Sequence, residues 1–236
     1  MDIPYQALTF DCFGTLMDWR RGQREALEAL PESAPLLTGG AEAFQLLDAR
    51  RMEAEQELQA GEYRSYAEVL GESLSRAGEA CGIHYGAASL HRFADAMAAW
   101  PAFDDSATAL AHLTGRVQVG LLSNCDDAVL RQVAEVQLAC PEAARISAEA
   151  VRSYKPQAPH WEAFLRRSGL HPEQVLHVSA YAFYDLAPAA RLGFATAFIR
   201  RDDETLPAGM KVTHQAEDVL DLVRQLGLAE PRGAEA

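Results

Sequence analysis

Four short stretches of the 236-residue chain carry groups that can do chemistry together. The first is Asp11, a carboxylate that closes the apolar run Leu8-Thr9-Phe10 and is followed by the turn-forming pair Gly14-Thr15. The second, Ser123-Asn124, sets a hydroxyl beside an amide. The third, Ser153-Tyr154-Lys155-Pro156, offers a fixed positive charge, and the fourth pairs Ser179 with Asp185 a short loop later. A carboxylate nucleophile, an anion site, a cation and a second acid suffice for covalent hydrolysis through an aspartyl ester. Each stretch also has a plainer reading. Asp11 can be a turn residue after a strand, Ser123-Asn124 and Asp185 can cap helices, and Lys155 can be a surface lysine before a proline.

Composition marks out Lys155. Of 21 basic residues only Lys155 and Lys211 are lysines, the other 19 being arginines. A chain that draws its surface charge from arginine uses lysine where a compact ammonium is wanted.

The order of elements brings the four stretches together. Residues 5–10 read as a strand. From 22 to 100 the pattern is helical, with Leu27, Leu30, Leu36, Leu37, Phe44, Leu46, Leu47 and Met52 at helical spacing, punctuated by Pro31, Pro35 and Gly39-Gly40. Helix is then expected over 107–113, 126–136, 160–167, 186–192 and 217–226. Strands are expected over 117–122, 146–151, 174–178 and 194–199, and residues 229–236 read as a tail without order. Alternating strands and helices imply an α/β fold, a doubly wound parallel sheet in a Rossmann-like core. The expected domains are a core of 1–18 and 101–236 and an inserted helical cap of 19–100. Every strand of such a sheet delivers its carboxyl end to one edge, where ligands bind.

A net charge of −13 disfavours nucleic acid and anionic membranes as partners, and leaves room for a small anionic substrate in a pocket of opposite local field. No apolar stretch is long enough to span a membrane, and Met1-Asp2-Ile3-Pro4 lacks the basic-then-apolar pattern of a signal peptide. Cys12, Cys81, Cys125 and Cys140 show no zinc or redox spacing and read as reduced thiols of a cytoplasmic protein. His177, inside an apolar strand, reads as a packing residue or a partner of backbone.

Asp11-Cys12-Phe13-Gly14-Thr15-Leu16, Ser123-Asn124, Lys155-Pro156 and Asp185 resemble, in order, the four motifs of the haloacid dehalogenase superfamily. The resemblance runs from Phe10 to about Arg201, and the helical insert is similar to that superfamily's cap domain. Its phosphatases carry an aspartate two residues after the nucleophile as general acid. Phe13 stands there instead and can neither give nor take a proton. The dehalogenase branch reads Asp-x-Tyr-Gly-Thr-Leu, and a departing halide needs no proton. Phe13 therefore points to the 2-haloacid dehalogenase-like (type II) branch.

That resemblance implies a metal-independent hydrolase with no cofactor, in which Asp11 displaces halide from a short 2-haloacid. Lys155 would orient Asp11 and hold the substrate carboxylate by charge, Thr15 would position Asp11, and Asp185 would pair with Lys155 or help activate water. Ser123 and backbone N–H groups near Cys12 and Phe13 would bind the carboxylate, with Asn124 near the halide. Phe13 and Trp19 would wall off water. Ser179 and Tyr181 would line the substrate site, although Tyr181 replaces the branch's asparagine and the loop to Asp185 is one residue longer. Arg50, Arg51 and Arg64 are the candidate halide receivers. Two other readings stay open. One is a Mg²⁺-dependent phosphatase or phosphonatase-like hydrolase of a small phosphorylated metabolite, with Asp11, the Phe13 carbonyl and Asp185 on the metal. The other is a non-enzymatic protein forming a homodimer through its cap.

Overall fold

The apolar runs form a single six-stranded sheet in the computed structural model, which describes residues 3–201 and 204–230. The strands are β1 (Ala7–Asp11), β2 (Gln118–Ser123), β3 (Ala144–Ser147), β4 (Val175–Ser179), β5 (Ala195–Ile199) and β6 (His214–Ala216), in the order β3-β2-β1-β4-β5-β6. Every pairing is parallel. The α/β reading of the sequence therefore holds. From β1 the chain builds outward through β2 to β3, then returns to β1's other side for β4, β5 and β6. That reversal puts the topological switch point beside β1, where open parallel sheets leave a crevice at their carboxyl ends. The register pairs Asp11 with Leu122, Phe10 with Val178 and Ser123 with Ser147, so the polar ends of β1, β2 and β4 lie at one level.

β1 and β4 are buried along their whole length, as strands covered on both faces must be. On one face a core of Ala7, Leu122, Ile146, Trp161, Phe164, Val175, Ala189 and Phe194 packs against the helix Pro159–Ser168. Gly120 of β2 lets that helix come close. A Cβ there would fall 2.6 Å from the Phe164 ring and 2.9 Å from Thr9 Cγ2.

Three local differences from the sequence reading have clear causes. The strand expected over 146–151 is β3 followed by a helical turn, Ala148–Val151, because the Ser147 hydroxyl accepts the Ala150 N–H at 2.9 Å and caps it. β6 was not expected, since three residues are too few to show an alternation. The helix of 126–136 is α-helical over Asp127–Gln132 and continues as a π turn over Val133–Gln137. Of the expected tail, residues 231–236 lie outside the described residues. No helix among the described residues is long and apolar enough to cross a membrane.

The chain divides into two compact units, Met1–Asp18 with Pro101–Ala236, and Trp19–Trp100. The second is all helical: Trp19–Glu28, Ala34–Gln59, Tyr66–Ala80 and Ala87–Ala96. Gly40, at φ 69°, breaks the second of these in two. Ser65 and Glu68 form a capping box that starts the third. Leu27, Leu30, Leu36, Phe44 and Leu47 are buried, whereas Leu37, Leu46 and Met52 are exposed, a distinction that helical spacing alone does not draw. Neighbours on a helix stand about 100° apart, and on this helix one of each of these adjacent pairs faces inward. Leu36, Leu47 and Arg51 take those places.

Gly120→Val should drive a branched side chain into Phe164 and Thr9 and lower stability by about 1–3 kcal/mol, measured by urea denaturation.

Candidate active site

Lys155 stands at the centre of the sheet edge. Its Nζ donates to Asp11 Oδ1 at 2.6 Å, to Asp185 Oδ2 at 2.9 Å and to the Leu122 carbonyl at 3.1 Å. An ammonium has three hydrogens, and all three are used. The Lys155 and Asp185 side chains are 0% exposed and that of Asp11 is 4% exposed, so Asp11 alone of the three has an accessible edge.

The turn after β1 holds Asp11's other oxygen. Leu16 and Met17 donate their N–H groups to the Cys12 carbonyl and Gly14 donates to Met17, which folds the chain back on itself. The turn brings the Thr15 hydroxyl onto Asp11 Oδ2 at 2.8 Å, and the same hydroxyl accepts the Ala180 N–H at 3.0 Å. Gly14 is required twice over. Its φ is 95°, and a Cβ would lie 2.0 Å from the Tyr181 hydroxyl.

The other strand ends position Lys155 and Asp185. Asn124 clasps the Lys155 backbone, accepting its N–H at 2.7 Å and donating to its carbonyl at 3.3 Å. It caps no helix; Asp126 stands at that position. Ser179 donates its hydroxyl to Asp185 Oδ2 at 2.9 Å and accepts the Tyr181 N–H at 3.0 Å. Asp185 sits inside a π turn, Ala182–Leu186, closed by the Leu186 N–H on the Tyr181 carbonyl. A π turn holds one residue more than an α turn, which accommodates the longer loop while Asp185 still meets Lys155. Tyr181 and Tyr184 stack with centroids 4.7 Å apart, and the Tyr184 ring lies 5.7 Å from Lys155 Nζ.

Ser123 is buried, and its carbonyl accepts from His160 Nε2 at 3.1 Å. The Phe13 side chain is half-buried and Cys12 fully buried. In the helical unit Arg51 is buried and ion-paired with Glu55 and with Asp48, while Arg50 pairs with Glu53. The charges of both are thus committed within that unit. Arg64 lines a recess of about 380 Å³ with Glu57, Leu58 and Arg76. The Trp19 ring carries the Arg20 guanidinium 4.7 Å from its centroid and that of Arg51 at 5.8 Å.

Two residues that matter here escaped the sequence reading. His177 joins Asp185 Oδ1 at 2.8 Å and Thr9 Oγ1 at 2.9 Å, so it bonds side chains rather than backbone. Arg201, at the end of β5, donates to the Thr15 carbonyl at 3.1 Å and pairs with Asp105 at 2.8 Å. A polar residue within or just past an apolar strand was the only available signal for either.

Two carboxylates share one ammonium, and they share it unequally. Burial opposes the charge of Asp185, but Lys155 and then His177 outweigh it and hold that carboxyl below the usual carboxylate range. Burial pushes Asp11 up to about 7; Lys155 opposes the rise and the nearby Asp185 adds to it. Lys155 is raised despite its burial because both acids favour its charge. Burial raises the Cys12 thiol well above its ordinary value and Cys125 to about 12, so neither is a reactive thiolate.

Both Asp185 oxygens are committed to His177, Ser179 and Lys155, and no group of three or more His, Cys, Asp or Glu among the described residues could hold an ion. The two carboxylates of the Mg²⁺ reading, Asp11 and Asp185, are both bonded to Lys155 here.

A parallel sheet with a buried acid–lysine–acid cluster at its switch point defines a Rossmann-like hydrolase core. The chain belongs to the haloacid dehalogenase-like hydrolases, whose family profile matches residues 5–193. Among solved structures it is similar to a defluorinating L-2-haloacid dehalogenase at 26% identity and a TM-score of 0.77, over 94% of this chain and 95% of that one. A second L-2-haloacid dehalogenase matches at 26% identity and a TM-score of 0.79, over 95% and 100%. A hydrolase of the same superfamily from Bacillus subtilis, bound to magnesium, shares the fold at 15% identity and a TM-score of 0.78, over 94% and 99%. No curated protein matches the chain.

A ¹³C titration of the Asp11 carboxyl should have its midpoint near 7. Because Lys155 lowers that value, Lys155→Met should move the midpoint further up.

Proposed function

We propose that this protein hydrolyses short 2-haloacids through an ester on Asp11, without a metal. The observation that carries the reading is the Asp11 carboxylate, aimed by Lys155 and Thr15, with Phe13 and no acid two residues on. Attack at the α-carbon forms a C–O bond while the carbon–halogen bond breaks, and the halide leaves with the electron pair. Water then adds to the Asp11 carbonyl carbon, and the ester collapses to a 2-hydroxyacid, the free carboxylate and a proton. The first step needs no general acid, because a halide is a stable leaving group. An alkoxide leaving from a phosphate ester does need one, and Phe13 cannot supply it.

The cluster suits this sequence of steps. Lys155 and Thr15 are held before substrate arrives, so little reorganisation remains in the transition state. Lys155 has no hydrogen left for the substrate carboxylate and acts on it through charge alone. Hydrogen bonds to that carboxylate fall to Ser123 and to backbone N–H groups near Cys12 and Phe13, with Asn124 near the halide and Tyr181 walling the site. Asp185 serves as the anchor of Lys155. We assign residues 19–100 the substrate-selecting role of the superfamily's cap. Four free cysteines, three of them buried, support a reducing compartment such as the cytoplasm.

Halide release from chloroacetate, fluoroacetate and 2-chloropropionate in the presence of EDTA tests the reading. No release from any of them, together with Mg²⁺-dependent phosphate release from a generic ester, would replace it with the phosphatase reading. Asp11→Asn should lower turnover by at least about 10⁴-fold, as loss of a covalent nucleophile does. In ¹⁸O water, label should enter the Asp11 carboxylate over many turnovers.

A further inference from the structure

The ring of His177 is fully buried on β4, edge-on to Trp161 at 5.5 Å and to Phe194 at 6.5 Å between centroids. Thr9 is its register partner on β1. Both ring nitrogens are bonded, Nε2 to Asp185 Oδ1 and Nδ1 to Thr9 Oγ1. An ionised carboxylate only accepts, so Nε2 carries a hydrogen. The Thr9 hydroxyl pairs with the other nitrogen, Nδ1. A buried imidazole held at both nitrogens is a rigid donor. The titratable groups that interact with it are Asp185 and His160.

We infer that His177 is a positioning residue of the hydrolytic centre: it holds Asp185 in the one orientation that lets Lys155 bridge to Asp11. Asp185 receives three donors, His177 on one oxygen and Lys155 and Ser179 on the other. It is fully buried. An acid so filled does not take a proton from water; it anchors an ammonium. Without His177 the carboxylate is free to turn about its Cβ–Cγ bond. Its charge, less compensated, then draws Lys155 away from Asp11. The line Thr9–His177–Asp185–Lys155–Asp11 thus crosses from β1 to β4 and back to the nucleophile. The inference deepens the proposed reaction and rests on it for its kinetic arm.

The test compares His177→Phe, which keeps a ring between Trp161 and Phe194, with His177→Gln, whose amide N–H reaches the same oxygen. His177→Phe should lower kcat by about 10–100-fold, the usual cost of losing an outer partner of a reactive group, with KM nearly unchanged. His177→Gln should restore most of the loss. A folded His177→Phe protein with wild-type kcat would overturn the inference. Two measurements need no substrate and separate its failure from failure of the haloacid reading. In ¹⁵N spectra of the wild-type protein at pH 7.5, the His177 ring should carry a hydrogen on Nε2, bonded to the Asp185 carboxylate. A ring with no hydrogen on Nε2 overturns the inference even if His177→Phe does not fold. The ¹³C midpoint of Asp11 should rise in His177→Phe and return in His177→Gln. A midpoint that does not move also overturns it.

Discussion

One buried ammonium, held between two buried carboxylates, is the constraint that the hydrolytic unit is arranged around. Taking those three charges from water is costly and is offset only when each is paired and hydrogen-bonded. The sequence spends residues accordingly. Thr15 and Lys155 complete Asp11, Ser179 and His177 complete Asp185, and the Leu122 carbonyl takes the last ammonium hydrogen. Asn124 fixes the Lys155 backbone so that the side chain starts from the right place. Remove any one of these and a buried charge or dipole goes unmet.

Sheet topology makes that arrangement affordable in length of chain. Lys155 lies 144 residues from Asp11 in sequence, yet four neighbouring parallel strands, β3, β2, β1 and β4, set the segments that follow them side by side. β1 sits where the winding reverses, so loops from both directions diverge around Asp11 and leave its edge accessible. The π turn and the sharp turn at Gly14 make local adjustments to that frame.

Much of this was legible in the amino-acid sequence, because apolar runs ending in polar residues report strand ends directly. Asp11, Lys155 and Asp185 were each visible by residue type at such an end, and the structure brings them into contact. His177 was not. A histidine inside an apolar strand has the same sequence signature whether it packs or bonds, and its partners, Thr9 and Asp185, are known only from the pairing of β1 with β4 and the reach of the π turn. Arg201 hid among 19 arginines, and its role depends on β5 ending level with the Gly14-Thr15 turn. In the helical unit the apolar positions were read correctly as helical but not as inward or outward. Adjacent leucines leave that choice to packing, as Leu36 with Leu37 and Leu46 with Leu47 show.

The saturation of Lys155 has a consequence for selectivity. Strong discrimination between close analogues comes from sites whose buried donors or acceptors go unmet when the wrong molecule binds. A cluster that satisfies itself sets no such penalty. Lys155, Thr15, Ser179 and Asp185 demand no hydroxyl or amide from a substrate and punish none that is missing. What the core unit imposes is reach to Asp11. Discrimination by size and shape is left to whatever walls surround that edge, and those walls can diverge in sequence without disturbing Asp11.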